Sequence, residues 1–306
     1  MKKILYIEPR QNEKRYLYYT YIGKELQKYK TINLIIGDNL DKYQLNDFHL
    51  IILGYGACAS NFCTTKEILN TKTPIIAFLF KLGVNKEHKF SFLKNNNIII
   101  FGQQYRIPEF EKKYKVSINK TLYPFNNNLF HNQNLQKIYD ISITGAKHDS
   151  KHYIEEAFLK EEHNLRERII NKLKPLNIKT FINCTDINKE AYIEDINEYI
   201  KIINQSKFWI CVSADHGDLT PRFCEIICCK TLIFCNEHNY STFNDLFIDG
   251  ETCVIFKNDL SDFESKINFY LNNPNKCKEM ADKMYEIYNN NYSIDKTVNK
   301  MLSFIN

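Results

Sequence analysis

Short apolar runs and amphipathic stretches alternate along most of the chain. The runs at residues 3–7, 49–53 and 74–80 carry the aromatic and β-branched side chains that are typical of strands buried on both faces. Between the first two runs, residues 15–29 place apolar side chains at a helical period. Repeated strand–helix units of this kind predict a parallel sheet that is covered by helices on both faces.

The alternation breaks at residues 106–137, which contain two prolines and three consecutive asparagines, and it resumes at residue 140. We therefore predict an α/β protein with two Rossmann-like domains that face each other across a cleft. The predicted segments are an N-terminal domain at 1–105, an interdomain connection at 106–137, a C-terminal domain at 138–290, and a C-terminal helix at 291–306 that packs back on the first domain.

Residues 207–235 predict a strand, a polar loop, a helix and a second strand. Thr220 and Pro221 form a helix-start signal, because a hydroxyl can cap the helix and proline loses nothing at its first position. Such a helix end favours anions, and Arg222 adds a positive charge to it. Glu225 could accept hydrogen bonds from a pair of sugar hydroxyls. The combination suggests a bound nucleoside diphosphate, although Arg222 and Glu225 could also form a surface ion pair.

Two other loops are candidates for ligand contacts. After the strand at 140–144, Gly145 would let a ligand approach the backbone and Lys147 could reach a phosphate, although a solvent-facing turn fits equally well. The charges of Arg166 and Arg168 on the next helix are expected to be solvated. Residues 54–59 match the relaxed G-x-G-x-x-A dinucleotide pattern, but no acidic residue follows about 20 positions later. We interpret this match as a tight turn, and a dinucleotide oxidoreductase remains an alternative.

The charge, the cysteines and the absence of several motifs exclude some classes of partner and site. The net charge of +5 is mild and the lysines are scattered, so no nucleic-acid partner is expected. No secretory signal and no apolar run of membrane-spanning length occur, and most of the ten cysteines lie in apolar runs. These features predict a cytoplasmic protein with reduced thiols and no metal site. P-loop, nucleophile-elbow and Asp-x-Asp motifs are missing from the sequence, so protein groups would have to neutralise a diphosphate, and no cofactor is expected.

Four segments together resemble the GT-B glycosyltransferases, in the group that contains CgeB-like proteins and glycosyl transferase group 1 C-terminal domains. The segments are residues 121–130, residues 139–145 with 163–173, residues 220–234, and residues 249–256 with the helices that follow them. The resemblance covers about 120–306. It implies metal-independent transfer of a sugar from a nucleoside-diphosphate sugar to an acceptor hydroxyl, of the hexosyltransferase type. The first domain would hold an unknown glycan, lipid or protein acceptor, and the second would hold the donor.

The resemblance also implies roles for individual residues. Glu225 would bind the donor ribose, Arg222 and the amides near Leu219 and Thr220 would face the diphosphate, and Gly145 would line the cleft. The chain departs from the family pattern at two positions. Gly217 stands where retaining members often carry a second glutamate, and Lys230 stands where the family has a glycine after the helix. The stereochemistry therefore stays open, and so do two alternatives, an inactive GT-B-like binding protein and a nucleotide-sugar epimerase or hydrolase.

An inverting enzyme also needs a general base near the acceptor. Acidic and histidine side chains near predicted strand ends or in the predicted cleft are the candidates, and capping or surface roles fit each of them as well. The candidates are Glu8, Asp38, His88, His148 and Asp215.

Overall fold

The computed structural model describes residues 1–9, 18–59, 71–79, 97–104, 107–123, 125, 128–146, 165–185, 193, 195–212, 219–238 and 240–305. The chain divides into two compact units. The first unit contains Met1–Asn126 together with Asn291–Asn306, and the second contains Asn127–Asn290. Within the described residues, no helix has both the length and the apolar character that crossing a membrane requires.

The first unit is built on a six-stranded parallel sheet in the order β2-β1-β3-β4-β5-β6. Its strands are β1 (Lys2–Ile7), β2 (Ile32–Gly37), β3 (Leu50–Leu53), β4 (Ile75–Leu79), β5 (Ile98–Gly102) and β6 (Ile118–Lys120). Its helices among the described residues are α1 (Tyr18–Leu26), α2 (Tyr55–Ala59), α3 (Ile107–Tyr114) and α9 (Ile294–Leu302). The apolar pattern also predicts short helices at 65–69 and 86–94, and both lie outside the described residues.

Part of the segment predicted as an interdomain connection is regular structure in the first unit. Helix α3 and strand β6 both lie between residues 106 and 137, and β6 pairs with β5 along the sheet edge. The carboxylate Oε1 of Glu111 accepts a hydrogen bond from the backbone N–H of Ile118 at 2.7 Å, which joins the helix to the strand. The sheet therefore includes β6, a strand that the apolar pattern does not predict.

The second unit is built on a five-stranded parallel sheet in the order β11-β10-β9-β7-β8. Its strands are β7 (Tyr139–Ala146), β8 (Thr180–Thr185), β9 (Ser206–Cys211), β10 (Leu232–Asn236) and β11 (Val254–Phe256). Its helices among the described residues are α4 (Leu165–Leu173), α5 (Ile196–Asn204), α6 (Pro221–Cys228), α7 (Phe263–Leu271) and α8 (Pro274–Asn291). The predicted α/β architecture with two parallel sheets is confirmed.

The two sheets share one topology, in which the first strand of each lies between the second and the third. The strand that follows β1 in sequence is therefore added on one side of it, and all later strands are added on the other side. The same is true of β7. In doubly wound folds this reversal opens a crevice at the carboxyl ends of the strands, where ligands bind. In the second unit the reversal lies between β7 and β9, which pair from Tyr139↔Ser206 to Ile143↔Ile210.

Side chains alternate between the two faces of the second sheet, and each face is covered by different helices. Ile143 and Ile210 belong to a buried apolar cluster with residues of α4, α7 and α8. Ser142 and Trp209 lie on the opposite face, and the Trp209 ring meets Tyr199 of α5. The alternation has the period of two that strand geometry requires.

The last helix, α9, packs within the first unit. Val298 and Met301 are fully buried there. The hydroxyl oxygens of Thr297 and Thr121 lie 3.1 Å apart, and the hydroxyl of Tyr29 donates to Oδ1 of Asn299 at 3.0 Å. The first unit is therefore completed by residues from both ends of the sequence.

Candidate functional site

The carboxyl end of β7 brings two arginines against a glycine. Gly145 has a φ of +128°, a backbone conformation that residues with a side chain rarely adopt. A Cβ at this position would lie 3.2 Å from Nη1 of Arg222 and 3.3 Å from Nε of Arg166. The missing side chain therefore leaves the two guanidinium groups next to bare backbone, at the point where the strand order of the second sheet reverses.

Arg222 lies in the first turn of α6 and is half-buried. Its Nε atom is buried and has no hydrogen-bond partner among the residues that the structure describes. Burial lowers the pKa of the guanidinium, but Tyr199 and Glu225 outweigh that effect and hold its pKa above the ordinary value. The group therefore keeps its positive charge, and its Nε–H remains available to an anionic ligand.

Glu225 follows Arg222 by three residues, on the same face of α6, and is also half-buried. Its Oε2 accepts a hydrogen bond from the hydroxyl of Tyr199 at 2.6 Å. Burial raises the pKa of the Glu225 carboxyl, while Arg222 and the Tyr199 hydroxyl oppose that rise. The Tyr199 ring packs edge-on against the rings of Trp209 and Phe130, with distances between ring centres of 5.8 Å and 6.4 Å.

The amino end of α6 lies in the same region. Pro221 occupies the first helical turn, as predicted, and Leu219 is buried just before it. Thr220 is the N-cap residue with extended backbone angles, but its hydroxyl makes no capping hydrogen bond. The predicted side-chain cap is therefore wrong, although the helix begins at the predicted residue. Residues 213–218, which precede this turn and include Asp215, lie outside the described part of the chain.

In the first unit, Glu8 lies at the corresponding reversal of strand order. It is fully buried after β1, and its Oε2 accepts a hydrogen bond from the backbone N–H of Gly56 at 2.9 Å. A side chain at Gly54 would collide with the same carboxylate. The Glu8 carboxylate thus fills the space beside Gly54 and Gly56. It also occupies the backbone N–H of Gly56, which a dinucleotide phosphate would have to bind. This geometry favours the tight-turn interpretation of that segment.

The remaining candidates are not gathered into one cluster. Asp38 follows β2 at the same sheet edge as Glu8, but it is exposed and paired with Lys42 at 2.9 Å. Three further candidates lie outside the described residues, namely Lys147, His88 and His148.

The structure thus brings Gly145, Arg222 and Glu225 together. Across the described ranges, no group of three or more acidic, histidine or cysteine side chains is arranged to hold a metal ion.

Two residues of this cluster were not predicted. Arg166 was expected to be solvated, yet its guanidinium lies beside Gly145. The resemblance of residues 163–173 to a family helix that contains a leucine–arginine pair could have identified it. Tyr199 is one of 20 tyrosines and lies on an ordinary amphipathic helix, so no pattern in the sequence distinguishes it.

Several solved structures are similar to this chain. Sucrose-phosphate synthase from Thermosynechococcus elongatus has a TM-score of 0.65 and 10% identity, with 99% of this chain and 98% of that chain covered. Anabaena HepE, solved in complex with UDP and glucose, has a TM-score of 0.59 and 9% identity over 99% of this chain and 100% of that chain. The DNA-modifying enzyme β-glucosyltransferase has a TM-score of 0.53 and 12% identity, with 100% and 97% covered. At these identities the similarity shows the fold alone, and the predicted GT-B type is confirmed.

Sequence comparison identifies the family. No curated protein sequence matches this chain with significance. The family model described as glycosyl transferase-like matches residues 147–303, which is more than half of the 306 residues. The matched region includes α4, α5 and α6, and therefore Arg166, Tyr199, Arg222 and Glu225. The chain belongs to the glycosyl transferase-like family.

Proposed function

We propose that this protein transfers a sugar from a nucleoside-diphosphate sugar to an acceptor hydroxyl, and that its second unit holds the donor. The observation that carries the proposal is the pair of guanidinium groups beside Gly145 at the strand-order reversal. The structurally similar HepE was solved with UDP-glucose, which supports this class of donor. The acceptor hydroxyl would replace the diphosphate at the anomeric carbon of the sugar.

The chemistry explains why positive groups belong at this position. When the bond between the sugar and the diphosphate breaks, the bonding electron pair leaves with the diphosphate, which gains negative charge. Groups that contact this charge stabilise the transition state more than the ground state. Arg166 and Arg222 supply fixed positive charges, and the amino end of α6 supplies the positive end of a helix dipole. Gly145 lets the phosphates approach the backbone closely.

Glu225 is the residue that we assign to the donor ribose. Its Oε2 is engaged by Tyr199, whereas its Oε1 accepts no hydrogen bond from any residue that the structure describes. A carboxylate oxygen with free lone pairs can accept hydrogen bonds from two neighbouring hydroxyls. Because Arg222 is three residues away on the same helix face, one helical turn would bind both the diphosphate and the ribose of the nucleoside.

We infer that the two arginines and the helix end neutralise the diphosphate, so that the reaction needs no metal ion and no cofactor. We also infer a cytoplasmic location, because the nine cysteines within the described residues are all free thiols. Most of these thiols are buried, which fits a reducing compartment.

Calorimetric titration with UDP-, GDP-, ADP- and CMP-sugars, followed by product analysis with and without an acceptor, tests the proposal. We expect one donor class to bind, and Arg222→Gln to weaken that binding about ten- to a hundred-fold, because one charged hydrogen bond is worth about 1.5–3 kcal/mol. Lys172→Gln removes an exposed positive charge from α4 and is the matched control. Equal donor affinity in the wild type and in Arg222→Gln would contradict the assignment.

A further inference from the structure

A concave site lies in the second unit, near the amino ends of β9 and β10, and shares no residue with the arginine cluster. Its cavity measures about 380 Å³, within the range of small-molecule pockets. Its floor consists of buried, mostly apolar side chains, namely Phe208, Leu232, Tyr270, Cys277 and Ala281. Its rim carries four lysines, namely Lys137, Lys207, Lys230 and Lys278. We refer to it as the lysine-rimmed pocket.

Residues 132–137, which precede β7, form one wall of this pocket and are hydrogen-bonded to the end of α5. The side-chain oxygen Oδ1 of Asn204 accepts from the backbone N–H of Gln133 at 2.7 Å. The Lys137 ammonium donates to the carbonyl of Asn204 at 2.8 Å. Although the Lys137 residue as a whole is exposed, its ammonium is set among protein atoms, and this desolvation lowers its pKa to about 8. A bound anion would offset that desolvation.

Lys230 contributes to the rim although its backbone adopts a left-handed conformation that favours glycine. It follows the end of α6 with a φ of +52°, the left-handed region in which helices commonly end with glycine. Its ammonium lies 2.9 Å from Asp282 and 4.7 Å from the centre of the Tyr285 ring. Glycine would be less strained at this position, and the lysine adds the ion pair with Asp282 and the contact with the Tyr285 ring.

Positive charge exceeds negative charge around the rim. Asp282 is the one acidic residue among those that line the cavity, and it is shared by Lys230 and Lys278, whose ammonium groups lie 2.9 and 2.5 Å from it. Lys207 is paired outside the lining with Asp140 at 2.7 Å. Lys137 has no carboxylate partner within the described residues. An apolar floor beneath excess positive charge is complementary to an amphipathic anion.

We propose that the lysine-rimmed pocket binds a small organic anion with an apolar body. The body would lie on Phe208, Leu232 and Tyr270, and the anionic group would pair with the Lys137 ammonium. Because the pocket shares no residue with the arginine cluster, this proposal stands independently of the assigned glycosyl transfer.

Two fluorescent probes that share one ring system test the proposal. 8-Anilinonaphthalene-1-sulfonate carries an anionic group, and N-phenyl-1-naphthylamine is the same ring system without it. We expect the full chain to bind the sulfonate at one site per molecule, and Lys137→Met to weaken that binding about tenfold, as the loss of a charged hydrogen bond predicts. The affinity for the neutral amine should change less than twofold.

Two further variants make the result specific. Lys283→Met removes an exposed lysine of α8 that is paired with Glu251 and lies outside the pocket, and it should leave sulfonate binding unchanged. Ala281→Leu fills the floor from α8 and should weaken the binding of both probes. The proposal is overturned if Lys137→Met and Lys283→Met bind the sulfonate equally well, or if Lys137→Met weakens both probes to the same extent.

Discussion

The hydrogen bond between Tyr199 and Glu225 determines how a carboxylate at the candidate site is oriented. The Tyr199 hydroxyl lies 2.6 Å from Oε2, and its ring is fixed between Trp209 and Phe130. A carboxylate on a helix can otherwise rotate about its last torsion, which is broad. We infer that Tyr199 is a positioning residue, which directs the second oxygen of Glu225 toward a ligand.

Tyr199→Phe removes the hydroxyl and keeps the ring. We expect donor affinity, measured by calorimetric titration, to fall about five- to thirty-fold, because losing the orientation of Glu225 should cost on the order of 1–2 kcal/mol of binding free energy. Since the Tyr199 hydroxyl lowers the pKa of Glu225, the pH profile of donor binding should also move to higher pH in the variant. Tyr29→Phe, which removes a hydroxyl bonded to Asn299 in the first unit, is the control. An unmoved pH profile in Tyr199→Phe would show that the hydroxyl does not act through Glu225.

Glu225 should also leave a signature in the pH dependence of stability. Its folded-state pKa is raised, chiefly by burial, above the ordinary value of 4.5. Between these two values the folded state binds more protons than the unfolded state, so stability is greatest at the acidic end of this window and falls as pH rises through it. Glu225→Gln should lack this loss. Chemical unfolding over a pH series should show the wild type losing stability relative to Glu225→Gln, and a relative gain would refute the assignment.

At the residue scale, the sequence predicts the chemistry of the site better than its geometry. Arg222 and Glu225 were identified because a helix start places them one turn apart. Arg166 and Tyr199 were not, because they reach the same place from α4 and α5, and that proximity depends on the order of β7, β8 and β9. The donor-binding roles of these residues stay predictions.

At the scale of elements, strands with several buried apolar residues were predicted closely. Both β3 and β4 are buried along their whole length, which produces the continuous apolar runs seen in the sequence. Strand β6 was missed because it has three residues, of which only Ile118 is buried. Its place in the sheet depends on pairing with β5, a tertiary contact that has no local signal.

Helix α9 provides a test of element packing in the first unit. Met301 is fully buried, so Met301→Ala should destabilise the protein by about 2–5 kcal/mol through lost contacts and a cavity. Lys296→Ala changes an exposed position of the same helix and should alter the unfolding free energy by less than about 0.5 kcal/mol. Hydrogen exchange should locate the loss of protection in β5, β6 and α1. Equal effects of the two substitutions would indicate that α9 contributes little to the stability of the first unit.

At the scale of the whole molecule, fold class and family followed from the sequence, but strand order did not. The alternation of strands and helices predicts parallel sheets, and the GT-B type and the glycosyl transferase-like family are both confirmed. The pattern does not reveal that both sheets reverse direction beside their first strand. That arrangement brings Gly145 next to Arg222 in one unit and Gly54 next to Glu8 in the other.

Because the first unit uses residues from both ends of the sequence, the two units acquire their residues in an unusual order during translation. When the ribosome has made residue 290, every residue of the second unit is present, whereas the first unit still lacks α9. Of the two units, the one whose synthesis begins earlier is therefore the later one to have all of its core residues. Nascent chains stalled at residue 290 should expose to chaperones the apolar face of α1 that α9 covers in the folded protein, although the downstream unit already has all of its residues.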